Sequence, residues 1–348
     1  MTRPQWFIAP FAIIILFSML AAAEPLLHLR ISLPPDIGAL PIAFGQDWGL
    51  FTEHGVDLQI IPLADKQSRV AALRVGKIDG MLTDLPTAIL LALDGIDLAI
   101  TSTAFLPQTY SQLALLTQRH ANVTSISDLL GEPEAGDERH RIHLPRLSGI
   151  HFQTDRLLYQ LGYAIGTDTN YQDWPDMLAM ATTFAVMPTW VRAVVLPEPY
   201  ITYLINFLPE LVYGAEIIIL SDFATVEPIP SVIVFRRDSL EEKEEAIARF
   251  YTAYRAAIAR LNATPLDELL DEGIDIAIAM FFPGIDLADP DAIPPAEMLA
   301  AVNIPYFGAL GRVGRPTFTT VMDWLIAGEY VRQRIDYAEI TTDLFIGE

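Results

Sequence analysis

The residues best equipped for chemistry are carboxylates, hydroxyls and amides set where helices begin. Asp36 follows an apolar run and Pro34-Pro35, just ahead of a helical stretch that starts near Leu40. Gln67 and Ser68 open a second stretch, Thr83-Asp84 a third, and Ser148-Gly149 a fourth, with His151 close behind. Glu198 stands at the end of an apolar run, before Pro199 and Tyr200. Each has two possible roles. An oxygen at a helix start accepts one of the free backbone N–H groups and caps the helix. The same oxygen facing a cleft accepts an N–H or O–H from a ligand, and the helix start itself offers N–H groups to an anion or carbonyl. From sequence alone both roles stay open, and Glu198 can equally bond the backbone of its own turn. Aromatic residues lie nearby: Tyr110, Tyr171, Trp174, Trp190 and Tyr200. Each can stack on a planar ligand or fill a core. Lys66, Arg69 and Arg146 are the cations closest to these turns.

Other chemistries lack their parts. The chain has no cysteine, which removes disulfides, thiol nucleophiles and thiolate metal sites. No G-x-S-x-G nucleophile motif is present. His140, His143 and His151 fall on a charged loop, a strand and a helix start, which matches no single-element zinc spacing. The acidic stretch Asp286–Asp291 lacks the glycine and spacing of a calcium loop. No metal or cofactor is expected, and catalysis is not expected. A net charge of −22 disfavours nucleic acid and anionic lipid as partners.

The elements that must position these residues alternate. Leu27–Leu33 reads as a strand, Leu40–His54 as a helix ending at Gly55, and Val56–Pro62 as a strand. Ser68–Val75 and Leu85–Leu93 read as helices stopped by Gly76 and Gly95, separated by a short strand at Gly80–Leu82 and followed by Leu98–Ala104. This alternation predicts a mostly parallel, doubly wound sheet. A second set follows. Its strands are Leu113–Thr117, Arg141–Leu144, Tyr171–Trp174, Ala193–Leu196 and Glu216–Leu220, and its helices are Ile126–Leu130, Ile150–Leu161, Asp176–Thr183 and Tyr200–Phe207. Ser231–Phe235 is a return strand, and the chain is mainly helical after Leu240. The expected architecture is therefore α/β, two doubly wound lobes with a ligand cleft between them. Lobe one takes residues 27–105 plus 225–348 and lobe two takes 106–224, with crossings near Ala104–Tyr110 and Ser221–Ser231. In such sheets ligands sit beyond the carboxyl ends of the strands.

Residues 1–23 stand apart. Arg3 is their only charge, an apolar run follows from Trp6 to Leu20, and Ala21-Ala22-Ala23 supplies the small residues of a cleavage site. A signal peptide is expected, with an uncleaved anchor as the alternative, since Trp6–Ala23 reaches the lower limit for spanning. Loss of this segment takes the net charge from −22 to −23. The remainder would then work outside the cytoplasm.

Several segments in order resemble one known group. They are "ALPIAFGQDWGLFTEHGVDLQIIPL", "AALRVGKIDGMLTDLPTAILLALDGIDLAI", "RAVVLPEPYITYL" and "IPSVIVFRRDSLEEKEEAIARFYTAYRAAIARLNATP". Together they resemble the nitrate, sulfonate, taurine and thiamine-precursor group of periplasmic binding proteins, of the type II fold. The resemblance runs from about Leu27 to Phe345. It departs from that group at Ala64–Ser68, where a Ser/Gly-rich turn is usual, at the shortened turn Leu147-Ser148-Gly149, and at the charged insertion 132–141. The resemblance implies a solute-binding subunit of an ABC importer, working as a monomer with a permease and an ATPase. It also implies that Glu198, in a Glu-Pro-aromatic turn, lines the cleft. The candidate ligand contacts are then Asp36, Gln67, Ser68, Thr83, Asp84, Tyr110, Ser148, Gly149, Trp174, Glu198 and Tyr200. Asp36, Asp84 and Glu198 would repel an anion and suit a ligand with N–H or O–H donors. With the aromatic residues, this favours a heteroaromatic vitamin or precursor, such as a thiamine pyrimidine or a flavin. A sulfonate, taurine or nitrate is the alternative.

Overall fold

A computed structural model describes residues 25–63, 65–106, 112–130, 142–166, 169–207, 216–282 and 304–346. The expected signal segment, Tyr110, His140 and the stretch Asp286–Asp291 lie outside them.

The first set of elements is β1 (Leu27–Ser32), α1 (Leu40–Asp47), α2 (Leu50–Glu53), β2 (Val56–Ile60), α3 (Lys66–Arg74), β3 (Gly80–Asp84), α4 (Leu85–Leu93) and β4 (Leu98–Phe105). The second is β5 (Leu113–Gln118), β6 (Ile142–Leu144), α5 (Gly149–Gln160), β7 (Tyr171–Asp173), α6 (Met177–Val186), β8 (Ala193–Pro197), α7 (Tyr200–Thr202) and β9 (Ile217–Asp222). The return comprises β10 (Ser231–Arg236), α8 (Arg237–Glu242), α9 (Glu244–Ala263), α10 (Leu266–Phe281), α11 (Arg315–Ala327) and α12 (Tyr337–Ile340).

The strands make two five-stranded sheets, ordered β2-β1-β3-β10-β4 and β7-β6-β8-β5-β9. β1 pairs in parallel with β2 and β3, whereas β10 runs antiparallel to both β3 and β4. In the second sheet β6 is parallel to β7 and β8, and β5 is antiparallel to β8 and β9. Each sheet is thus a parallel frame holding one reversed strand, which the alternation alone did not predict. The reversed strands are the first ones reached after the chain passes from one sheet to the other. Val232, Ile233, Val234 and Phe235 of β10 are all buried, as an interior strand covered on both faces requires.

The expected helix Leu40–His54 is broken in two. Gly49 adopts a φ of 73°, a left-handed conformation that ends α1 and restarts the chain as α2. The expected helix Tyr200–Phe207 stops after Thr202 and continues as a π-helical turn over Tyr203–Phe207. α9 buries Ile247, Phe250, Tyr251, Tyr254, Ile258 and Leu261, spaced as one helical face. Its Phe250 stacks on Phe51 of α2, and its Tyr251 hydroxyl bonds Thr101 and Ser102 of β4. Beneath the first sheet, Asp79 is buried and accepts from the Arg30 backbone N–H at 2.8 Å, the Arg30 guanidinium at 2.9 Å and Lys243 Nζ at 2.8 Å. This ties β1 and the approach to β3 to the start of α9. Among the described residues no helix is long and apolar enough to cross a membrane.

Candidate ligand cleft

The carboxyl ends of the parallel strands aim their following turns at one space. From the first sheet come Asp36 after β1, Ile61 and Pro62 after β2, and Thr83-Asp84 at the end of β3. From the second come Pro145 and Ser148 after β6, Asp176 after β7, and Glu198 after β8. Between them lies a cavity of about 950 Å³. Much of its wall is apolar: Leu33, Ile37, Ile60, Leu82 and Phe105 on one side, and Leu113, Ile150, Met177, Leu178 and Phe223 on the other. α10 adds Met280 and Phe281. A cavity of this size with an apolar lining and a few polar groups is typical of a small-molecule site.

The polar groups share a pattern. Asp36 Oδ1 accepts the Gly38 N–H at 2.6 Å. Asp84 accepts the Thr87 N–H and hydroxyl, both at 2.8 Å, capping α4. Asp176 Oδ1 accepts the Ala179 N–H at 2.9 Å, capping α6. Glu198 accepts the Thr202 N–H and hydroxyl, both at 3.1 Å. At each of these four turns one of the backbone N–H groups that a bound oxyanion would seek is already taken by the protein's own carboxylate. α5 is the exception. Its cap is the neutral Ser148, whose Oγ donates to the Pro145 carbonyl at 2.6 Å and accepts the His151 N–H at 3.3 Å. Burial pushes the carboxyls of Asp36 and Glu198 above their ordinary range, and the hydrogen bonds from Gly38 and Thr202 only partly oppose it. Arg69 donates to the Leu63 carbonyl at 3.1 Å. Burial disfavours its charged form, while Asp65, Asp84 and Asp36 favour it.

Seven of the candidate contacts line this cavity: Asp36, Thr83, Asp84, Ser148, Gly149, Glu198 and Tyr200. The Tyr200 hydroxyl is engaged, donating to the Phe281 carbonyl at 3.1 Å. Gln67 and Ser68 do not line it. α3 begins two residues earlier than the sequence suggested, because Asp65 caps it through the Ser68 N–H at 2.7 Å and hydroxyl at 2.6 Å. The helical period then turns Lys66 and Arg69, three residues apart, to the cavity. Trp174 also lies off the cavity wall, packed edge-on against His143 and Trp190 at centroid distances of 5.8 Å and 6.1 Å. Sequence reasoning missed Gln112, Gln153 and Asp176, all on the wall. Asp176 was open to discovery as an N-cap before an apolar helix. Gln112 carried no local signal.

Contacts beside the cavity join the two halves. Lys66 Nζ donates to the Leu147 carbonyl at 3.0 Å. A Cβ on Gly149 would lie 3.3 Å from Asp84 Cβ, so α5 approaches the start of α4 closely. Farther along α5, Asp155 accepts from Trp324 Nε1 of α11 at 2.8 Å and from the Tyr171 hydroxyl at 2.6 Å. His151 is buried among the rings of Tyr171, Trp324 and Tyr330. Desolvation, aided by Arg146, drops its pKa to about 3, so it is neutral at pH 7, with Nδ1 accepting the Leu147 N–H. It serves this junction and does not line the cavity.

Neither a protein-family model nor a curated protein matches the sequence. Solved structures do. The alkanesulfonate-binding protein SsuA of Xanthomonas axonopodis pv. citri, bound to MOPS, aligns at a TM-score of 0.66 and 16% identity, over 92% of this chain and 100% of that one. The ligand-binding component of an ABC-type import system from Staphylococcus aureus, with zinc bound, aligns at 0.65 and 14%, over 92% and 98%. The periplasmic nitrate-binding protein NrtA of Synechocystis aligns at 0.59 and 12%, over 92% and 93%. At these identities the likeness shows the fold. It is the two-lobe α/β fold of ABC-type periplasmic binding proteins.

Proposed function

We propose that the chain is the extracytoplasmic solute-binding subunit of an ABC importer. It captures a small molecule in the cavity between its lobes and presents it to a permease. The observation that carries this reading is the cavity itself: about 950 Å³, walled by apolar side chains and fed by the carboxyl ends of both sheets. Open lobes admit the ligand, both lobes contact it, and closure is favoured by the ligand's higher affinity for the closed form. The role requires no covalent chemistry. The ligand carries N–H or O–H donors on a flat apolar body, as a heteroaromatic vitamin or precursor does. Asp36, Asp84 and Glu198 accept from it, while Thr83 and Ser148 lie within reach.

A sulfonate or nitrate is the second reading. It is favoured by the ligands named for SsuA and NrtA, and by the neutral cap of α5 with Lys66 beside it. The experiment is a thermal-shift panel on protein lacking residues 1–23, with riboflavin, thiamine, its aminopyrimidine precursor, taurine, alkanesulfonates and nitrate. A ligand at 100 times its dissociation constant stabilises by about 2.7 kcal/mol, a shift of a few degrees. A shift with an aromatic nitrogen compound is the expected result. A shift confined to sulfonate or nitrate would overturn the ligand class and keep the transport role.

A further inference from the structure

Two acceptors on neighbouring strands belong to residues of the cavity wall, Gln112 and Glu198, and one of them has no hydrogen-bond partner among the described residues. β5 and β8 are antiparallel neighbours with Leu113 opposite Pro197, so Gln112 and Glu198 face each other one step beyond that pair. The Glu198 N–H donates to the Gln112 carbonyl at 3.0 Å, which continues the β5–β8 ladder past its last strand pair and locks the two backbones together. Among the described residues, the Glu198 carboxylate accepts only from Thr202, and a carboxylate has room for further donors. Gln112 Oε1 is buried and has no hydrogen-bond partner among them. A buried acceptor left unpaired costs free energy, which a donor brought by a ligand would recover. On the second lobe's side of the cavity the charge has one sign. Among the described cavity-lining residues of the second lobe, Asp176 and Glu198 are the charged ones, and Lys66 and Arg69 both belong to the first lobe.

We propose that Gln112 and Glu198 form a paired acceptor subsite that takes the N–H groups of a protonated amine or amidine on the bound solute. This rests on the solute-binding reading and narrows its ligand to a cation. An amidinium offers two parallel N–H groups, and its charge strengthens the bond to the carboxylate. Its apolar body would lie against Leu113, Met177 and Phe223, which line the same cavity.

The test uses three flat probes of similar shape and different charge: benzamidine, benzamide and benzenesulfonate, titrated at millimolar concentration into protein lacking residues 1–23. Benzamidine is expected to bind about tenfold tighter than benzamide, with benzenesulfonate weakest. Gln112→Leu and Glu198→Gln should each erase most of that preference. Glu198→Gln keeps an oxygen for Thr202, so the turn survives the change. Gln112→Glu should strengthen benzamidine binding, which loss of fold cannot mimic. Equal affinities, a preference untouched by these variants, or no binding of benzamidine overturn the subsite. A benzenesulfonate preference overturns it too, yet leaves the transport role standing. The importer reading is judged separately, by the broader panel above.

Discussion

At the scale of single residues, the cavity holds carboxylates that the fold alone would not favour. Burial raises the Asp36 carboxyl, so the folded chain holds that proton at a pH where the unfolded chain has released it. The folded state then binds more protons, and stability falls as pH rises from the ordinary aspartate range through the folded value. Asp36→Asn keeps an acceptor for the Gly38 N–H and removes the charge. It should raise the melting temperature by a few degrees at pH 7, with the gain gone near pH 4, while weakening ligand binding. Thermal denaturation at both pH values checks this, and equal melting temperatures at pH 7 would contradict it. Asp79 behaves in the opposite way. Burial opposes its ionisation, but hydrogen bonds from Arg30 and Lys243 outweigh that and hold its carboxyl below the usual range. Its contribution is present above the ordinary aspartate pKa and is lost as pH falls through the folded value. Asp79→Asn should cost about 2–3 kcal/mol in urea unfolding at pH 7, less than in a fully buried pair because Arg30 and Lys243 reach solvent.

At the scale of elements, the start of α5 packs closely against the start of α4. Any side chain at Gly149 meets Asp84 and Ile229. Gly149→Val should hold the lobes apart and remove ligand-induced stabilisation, and small-angle scattering should give a larger radius of gyration than wild type. An unchanged radius with full ligand response would show that α5 does not set closure. Helix starts were legible in the sequence because caps are local: Asp36, Asp84 and Ser148 all cap the turns or helices they precede. α3 shows the limit of that reading. An earlier cap, at Asp65, rotates the helix face and exchanges Gln67 and Ser68 for Lys66 and Arg69. The break at Gly49 was missed because the apolar pattern runs on through it. Gln112 was invisible for a different reason. Its partner Glu198 arrives through the β5–β8 pairing, and register between distant strands is not written in either strand alone.

At the scale of the whole molecule, two sheets with the same plan face each other across one cavity, and the chain passes between them after β4 and again before β10. Away from these passages the halves are also joined by Trp324 Nε1 on Asp155. Trp324→Phe removes that donor and should lower stability by about 1–2 kcal/mol, measured by urea unfolding. An unchanged midpoint would show that this junction adds little to the joining of the halves. The central claim is that one small molecule binds between the lobes. Calorimetric titration of the strongest compound from the thermal-shift panel tests it most directly, in wild type and in Ala179→Trp, which sets a bulky ring on the cavity wall at α6. The account predicts one saturable site per chain in wild type and none in the variant. Binding that is equally tight in both, with the variant folded, would place the ligand elsewhere and contradict the account.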